Sequence, residues 1–148
     1  EKYQAIEYLA SSDVFISYSH GEPNHIILTN NVLLTSDDIN ALDSSALSEL
    51  KLVCLVACLT GNGMETTPNF VNAIHSRGAQ TVIGFTTVAL ADEAYVWIEA
   101  FGIAIAEGNS INDALIIADN KTAHSNYPYG TTKNRYTIGN LNSIPCPQ

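Results

Sequence analysis

Two positions in this chain carry residue types that make and break acyl bonds. His20-Gly21 closes one apolar run, and Cys58 closes another. A free thiol, with a pKa of about 8.5, is mostly protonated at neutral pH, and the thiolate is the nucleophile. A nearby imidazole accepts that proton and later returns it to a leaving amine. Gly21 leaves room for its backbone N–H to approach a substrate oxygen, and the N–H of Cys58 offers a second donor. Two such donors make an oxyanion hole. Taken singly, a strand-end histidine is a turn residue and a lone cysteine a small buried hydrophobe. Cys54, in the middle of its run, reads as that inert core filler.

The elements around these residues decide whether they meet. Glu1 to Ala10 places Tyr3, Ile6 and Leu9 at helical spacing, ended by Ser11-Ser12. Asp13 to Ser19 is β-branched and aromatic and reads as a buried strand stopping at His20-Gly21. His25 to Leu34 sets two apolar runs around Asn30-Asn31, a hairpin whose turn needs φ > 0. Thr35-Ser36-Asp37-Asp38 carries N-cap chemistry for a short helix toward Leu42. Asp43-Ser44-Ser45 is placed to cap another through Leu50. Lys51 to Cys58 is apolar almost throughout, as a strand covered on both faces is, and a loop from Leu59 to Gly63 follows.

Farther along, Thr67-Pro68 opens a helix that Gly78 stops. Gln80 to Phe85 is a strand, and Ala89 to Glu107 a long helix ended by Gly108. Ser110-x-x-Asp113 starts a last helix to about Ala123. Ser125 to Lys133 is loop-rich, Arg135 to Ile138 is one more strand, and Leu141 to Gln148 is expected to fray. Strands alternating with helices predict an α/β domain with a mainly parallel sheet. Ligands bind beyond the carboxyl ends of such strands, where His20 and Cys58 both fall.

Composition narrows the function classes. The chain has 148 residues, 46% of them hydrophobic and 14% charged, enough for a single domain with a core. Fifteen acids against six scattered bases give a net charge of -9. Nucleic acid is therefore not an expected partner. No apolar run approaches the ~18–20 residues that span a bilayer. Three cysteines do not make a disulfide scaffold. The chain begins at Glu1 with no Met and no signal peptide, so compartment cannot be read from it.

The order of motifs resembles a known superfamily. D-V-F-I-S-Y-S-H-G followed by K-L-V-C-L-V-A-C-L-T-G is similar to the caspase-like cysteine peptidases of clan CD: caspases, clostripain, gingipains, separase and CHAT domains. L-L-T-S-D-D-I, N-F-V-N-A-I-H-S-R-G-A-Q-T-V-I-G-F and E-G-N-S-I-N-D-A-L-I-I-A are similar to CHAT sequences in the same order. The likeness runs from about Asp13 to Asp119 and is closest to CHAT-domain and clostripain-like members. It implies a three-layer caspase-like fold, a catalytic His20–Cys58 dyad, and a protein or peptide substrate. It implies no metal and no organic cofactor.

Departures bear on specificity. Cys58 sits in V-A-C-L-T-G rather than Q-A-C-x-G, and His20 lies closer to it than the about 50 residues of the caspase pattern. Clostripain-like enzymes carry Asp where Val56 stands, so a charge-reading floor is absent at that corner. Thr86-Thr87 stands where CHAT domains often have Trp-Pro, in a loop that shapes the primary pocket of the superfamily. Asp92 or Glu93 could bring a negative charge there, although a helix N-terminus attracts acids without any ligand. The superfamily sheet begins with two strands for which this chain has no room. It therefore reads as a C-terminal portion of the domain, its sheet completed by a preceding segment or a second chain.

Other candidates have plainer readings. His25, His75 and His124 show no metal-ligand spacing. Gly61-Asn62-Gly63 lacks the Lys-Ser/Thr of a phosphate loop. Trp97 and Phe101 lie four apart on the long helix and read as core. Cys146 is a free thiol or pairs with another chain. The leading expectation is a cysteine endopeptidase. The alternative is a catalytically inactive caspase-like module that binds or signals through protein partners. A flavodoxin-like binding domain is a third option, for which no Gly-rich loop speaks.

Overall fold

The computed structural model describes residues 1–62, 69–87, 91–123 and 134–148. Helix α1 (Lys2–Ser11) leads into strand β1 (Val14–Tyr18). Three short strands follow, β2 (Gly21–Glu22), β3 (His25–Ile27) and β4 (Leu33–Thr35), then α2 (Ser36–Asn40) and β5 (Leu52–Val56). The remainder is α3 (Phe70–Ser76), β6 (Thr81–Phe85), α4 (Ala91–Ala106), α5 (Ile111–Thr122) and β7 (Arg135–Gly139).

The main sheet has the order β1-β5-β6-β7. β1, β5 and β6 run parallel, and β7 is antiparallel to β6. Alternation along β5 divides the core in two. Val53, Leu55 and Ala57 pack with Leu9 of α1, Ile39 of α2 and Phe70 and Ile74 of α3. Leu52, Cys54 and Val56 pack on the opposite face with Trp97 and Phe101 of α4 and Leu115 of α5. The molecule is thus a three-layer α/β structure with a mainly parallel central sheet. A strand buried on both faces has no polar side to show, which is why β5 is apolar throughout.

Local chemistry explains most element ends. Thr35 caps α2 in a reciprocal box with Asp38, and Asn69 caps α3 by accepting from the Asn72 N–H at 3.0 Å. Ser110 accepts from the Asp113 N–H at the start of α5. Gly78 and Gly108 take φ of 111° and 88°, a left-handed conformation that suits glycine after a helix. Asn30 and Asn31, with φ of 58° and 59°, turn the chain between β3 and β4, which pair antiparallel. A second hairpin through Pro23-Asn24 joins β2 to β3 and makes this a three-stranded sheet, a feature absent from the sequence reading.

Four expectations are corrected. β1 is half-buried rather than buried, because it lies at an edge of the sheet. The stretch from Asp43 to Leu50 forms successive tight turns instead of a helix, with N–H groups of Ala46, Ser48 and Leu50 each bonded three residues back. Tyr3 is 85% exposed, and the buried stripe of α1 is Ala5 and Leu9. Finally, the tail does not fray. Carbonyls of Ser143 and Leu141 accept from the N–H groups of Ile111 and Asn112, and Leu141 and Cys146 pack against the α4–α5 core. Those two carbonyls satisfy donors that the start of α5 would otherwise leave open. Gly63, Thr67-Pro68, Ala89, His124 and the segment 125–133 lie outside the described residues.

Candidate active site

Pairing between β1 and β5 brings the two reactive residue types to one sheet edge. Tyr18 is opposite Val56, and the Ser19 N–H continues the ladder to the Val56 carbonyl at 3.2 Å. His20 lies two residues beyond Tyr18, and Cys58 two beyond Val56. Neighbouring strands are about 4.8 Å apart, so the two strand ends that lead into these residues lie side by side at one edge. His20 is exposed and Cys58 part-exposed, as groups that meet a substrate must be.

Gly21 seals the junction. A Cβ added there would lie 2.8 Å from Ala57 Cβ, 2.8 Å from Thr60 Cγ2 and 3.2 Å from the Cys58 carbonyl oxygen. Only glycine lets the chain leaving β1 pass this closely over the turn that follows β5. The His20 carbonyl accepts from the Ile27 N–H at 2.9 Å. Since bonded and non-bonded pairs alternate in an antiparallel ladder, Gly21 opposite Ile26 is a non-bonded pair. Its N–H is therefore directed away from β3.

The turn carrying Cys58 is tightly built. Leu59, directly after it, has φ of 60°, a left-handed conformation that an L side chain adopts at a cost of about 1–2 kcal/mol. The Thr60 hydroxyl lies 3.1 Å from the Ala57 carbonyl and accepts from the Phe85 N–H at 3.3 Å. N–H groups of Leu59 and Gly61 donate to the Thr87 and Phe85 carbonyls at 3.4 and 2.8 Å. The turn is thereby anchored to the end of β6.

The other residues singled out in the sequence sit as follows. Val56 is 1% exposed, in the core against α4. The Thr86 N–H donates to the Asn134 carbonyl at 2.8 Å, joining the loop after β6 to the start of β7. Asp92 and Glu93 begin α4 and line a cleft of about 210 Å³ with Val96, Lys121 and Thr122. Cys54 is fully buried, and burial pushes its thiol far above the usual range despite the nearby positive charge of Arg135. It is core, as its place in mid-strand implied. Trp97 and Phe101 are also core, stacked with centroids 5.0 Å apart. No cluster able to hold a metal ion occurs among the described residues.

Leu59, Thr60, Asn69 and Tyr136, which shape or brace the turn, escaped the sequence reading.

Comparison with family models and with curated proteins finds no match. Among solved structures, the Arg-specific cysteine proteinase gingipain R superposes with a TM-score of 0.72, at 12% identity, over 97% of this chain and 36% of its own. A second, described as a protease, gives 0.65 at 16% identity over 94% of this chain and 37% of its own. The chain spans little more than a third of the length of either. The likeness is one of architecture: the chain has the mixed α/β fold, with a mainly parallel central sheet, found in caspase-like cysteine proteases.

Proposed function

We propose that this chain bears the reactive centre of a cysteine endopeptidase, closest in its motifs to CHAT-domain and clostripain-like members, with His20 and Cys58 as its dyad. The observation that carries the reading is the common register of β1 and β5, which delivers both residues to one edge, with Gly21 packed on the Cys58 turn. His20 takes the thiol proton as Cys58 Sγ attacks the scissile carbonyl carbon. The N–H groups of Gly21 and Cys58 hold the oxyanion. As the C–N bond breaks, His20 gives its proton to the leaving amine, and a thioester remains. Water, deprotonated by His20, then attacks the thioester, releases the new carboxyl terminus and restores the thiol. This acyl transfer calls for no metal and no organic cofactor. The substrate is a protein or peptide, and Thr86, after β6, and Asp92, at the start of α4, are the residues that would border its side chains.

A segment pairing with the open side of β1 would complete the sheet. In support, β1 is an edge strand whose neighbour on one side is β5, with Tyr18 48% exposed, and apolar edges are ordinarily covered. The second reading is a non-catalytic module that binds protein partners. Exposed Tyr95, Val96, Ile103 and Ile116 on the outer helices favour it.

A peptidyl electrophile separates the two. The peptidase reading expects covalent labelling at Cys58, abolished in Cys58→Ala together with peptide cleavage. Wild-type protein that never labels at Cys58, or a Cys58→Ala variant that still cleaves, sinks it and leaves the binding module.

A further inference from the structure

Strand β7 lies beyond β6, two strands away from the cysteine, yet two of its adjacent residues are linked to the Cys58 turn, with their side chains on opposite faces of the sheet. Tyr136 points to the α3 face. Its hydroxyl donates to Asn72 Oδ1 at 3.0 Å. The Asn72 N–H donates to Asn69 Oδ1, and Asn69 Nδ2 donates to the carbonyl of Asn62, within the loop that follows Cys58. Asn69, at the centre of this relay, is 2% exposed, and Tyr136, Asn72 and Asn62 are half-buried. The same loop rests on Tyr136 directly: a Cβ on Gly61 would lie 3.0 Å from Tyr136 Cβ.

Arg135 points to the α4–α5 face. One guanidinium nitrogen donates to both oxygens of Asp119 at 2.8 Å, and Asp119 also accepts from Trp97 Nε1 at 2.9 Å. The Arg135 side chain is only 7% exposed. Arg135 pairs with Phe85, whose carbonyl receives the Gly61 N–H, and the neighbouring Thr86 N–H is bonded to Asn134. Each step from Arg135 to the Cys58 turn is therefore a hydrogen bond or a paired strand position.

The turn needs such support. Leu59 is held with φ of 60°, and strain of this kind persists only where the surroundings over-determine it. We propose that Arg135 and Tyr136 are positioning residues: they brace the Cys58 turn from the two faces of the sheet, through Asp119 and through Asn72–Asn69, and so set the orientation of the Cys58 N–H and thiol. The inference rests on the peptidase reading for its consequence in catalysis, but the bracing itself is testable without it.

The test uses the full chain with Tyr136→Phe, which removes one hydroxyl, and Arg135→Lys, which keeps the charge but loses the planar fork. Amide exchange is followed at Leu59 and Gly61, with Val53 and Leu55 of β5 as internal references. Bracing expects protection at Leu59 and Gly61 to fall about tenfold while the β5 amides keep theirs, a selective opening of one local unit. Peptidyl labelling of Cys58 should slow by roughly tenfold, since small misplacements of a reacting group are costly. Alkylation by iodoacetamide, which needs an accessible thiolate but no oriented oxyanion donors, should slow by less than the peptidyl labelling does. Unchanged protection at Leu59 and Gly61, or loss spread equally over β5, overturns the proposal, whatever the activity shows. Wild-type protein that Cys58-directed peptides fail to label would defeat the peptidase reading while leaving the exchange result to decide the brace. If Arg135→Lys does not fold, Tyr136→Phe alone decides it.

Discussion

Gly21→Ala is the sharpest single perturbation of the candidate site. The new Cβ would meet Ala57 Cβ and Thr60 Cγ2 at 2.8 Å, against ordinary contacts of 3.4 Å or more. Neither atom is the far end of a flexible chain, so the two strand ends must part by roughly 0.6 Å, the scale on which small misplacements cost rate. Overpacking of this kind costs about 1–3 kcal/mol. Gly21 is not among the positive-φ residues, so alanine adds no backbone strain. By restricting the unfolded chain it recovers about 0.4–1 kcal/mol. A net loss of about 1–2 kcal/mol follows, lowering Tm by roughly 2–8 °C in a domain of this size. A displacement of 1 Å is worth about a hundredfold in rate, which scales to roughly ten- to twentyfold here. Thermal melts give the first quantity, and pseudo-first-order labelling of Cys58 by a peptidyl electrophile gives the second. A variant that melts and labels like wild type would refute the packing argument and the role assigned to the His-Gly step.

Further outcomes are expected elsewhere. The Ser17 Oγ is buried without a hydrogen-bond partner among the described residues; Ser17→Ala should raise stability by about 1 kcal/mol, a rise of about 2–4 °C in a melting experiment. Thiol titration of the native protein should modify Cys58 and spare Cys54, which is fully buried, until denaturant is added; mass mapping of the modified residues checks this. Burial raises the Asp38 carboxyl, but hydrogen bonds from the Thr35 N–H, Lys2 and the Thr35 hydroxyl, with the Lys2 charge, outweigh it and hold it below the usual range. Its contribution is thus fully present above about pH 4 and is lost as pH falls through the lowered folded value. Asp38→Asn should flatten that acid limb in urea melts taken from pH 6 to pH 2.

What the sequence disclosed follows from periodicity and caps. β5 is legible because only a strand covered on both faces is apolar at every position. α2 and α5 are legible because Thr35, Asp38 and Ser110 carry their N-terminal bonds in their side chains. That His20 and Cys58 each follow a strand end is legible from the same patterns, and the parallel register aligns those two strand ends, Tyr18 with Val56. The brace was not legible. Tyr136–Asn72 joins residues 64 apart and Arg135–Asp119 spans two elements on different layers, and no local pattern encodes such pairs. Helix content between Asp43 and Leu50 was overestimated because capping residues are also turn residues. There Leu47 and Leu50 are drawn into the core, and the Leu47 N–H is taken by the Arg77 carbonyl.

The parallel pairing of β1 with β5 also has a kinetic meaning. Between those strands lie the whole three-stranded sheet, α2 and the turns to Leu50. Non-local pairings of this sort form slowly, because a long loop must close before any contact rewards it. β3 and β4, linked by a short turn, are assembled from local contacts and form early by the same reasoning. The strand ends that precede His20 and Cys58 are aligned only when the β1–β5 ladder zips in its correct register, and a slip of one residue would turn every side chain of β1 to the wrong face. On the proposed dyad, peptidyl labelling of Cys58 should therefore lag the return of helical signal in a refolding time course; labelling that returns as early as the helices would refute this order of events.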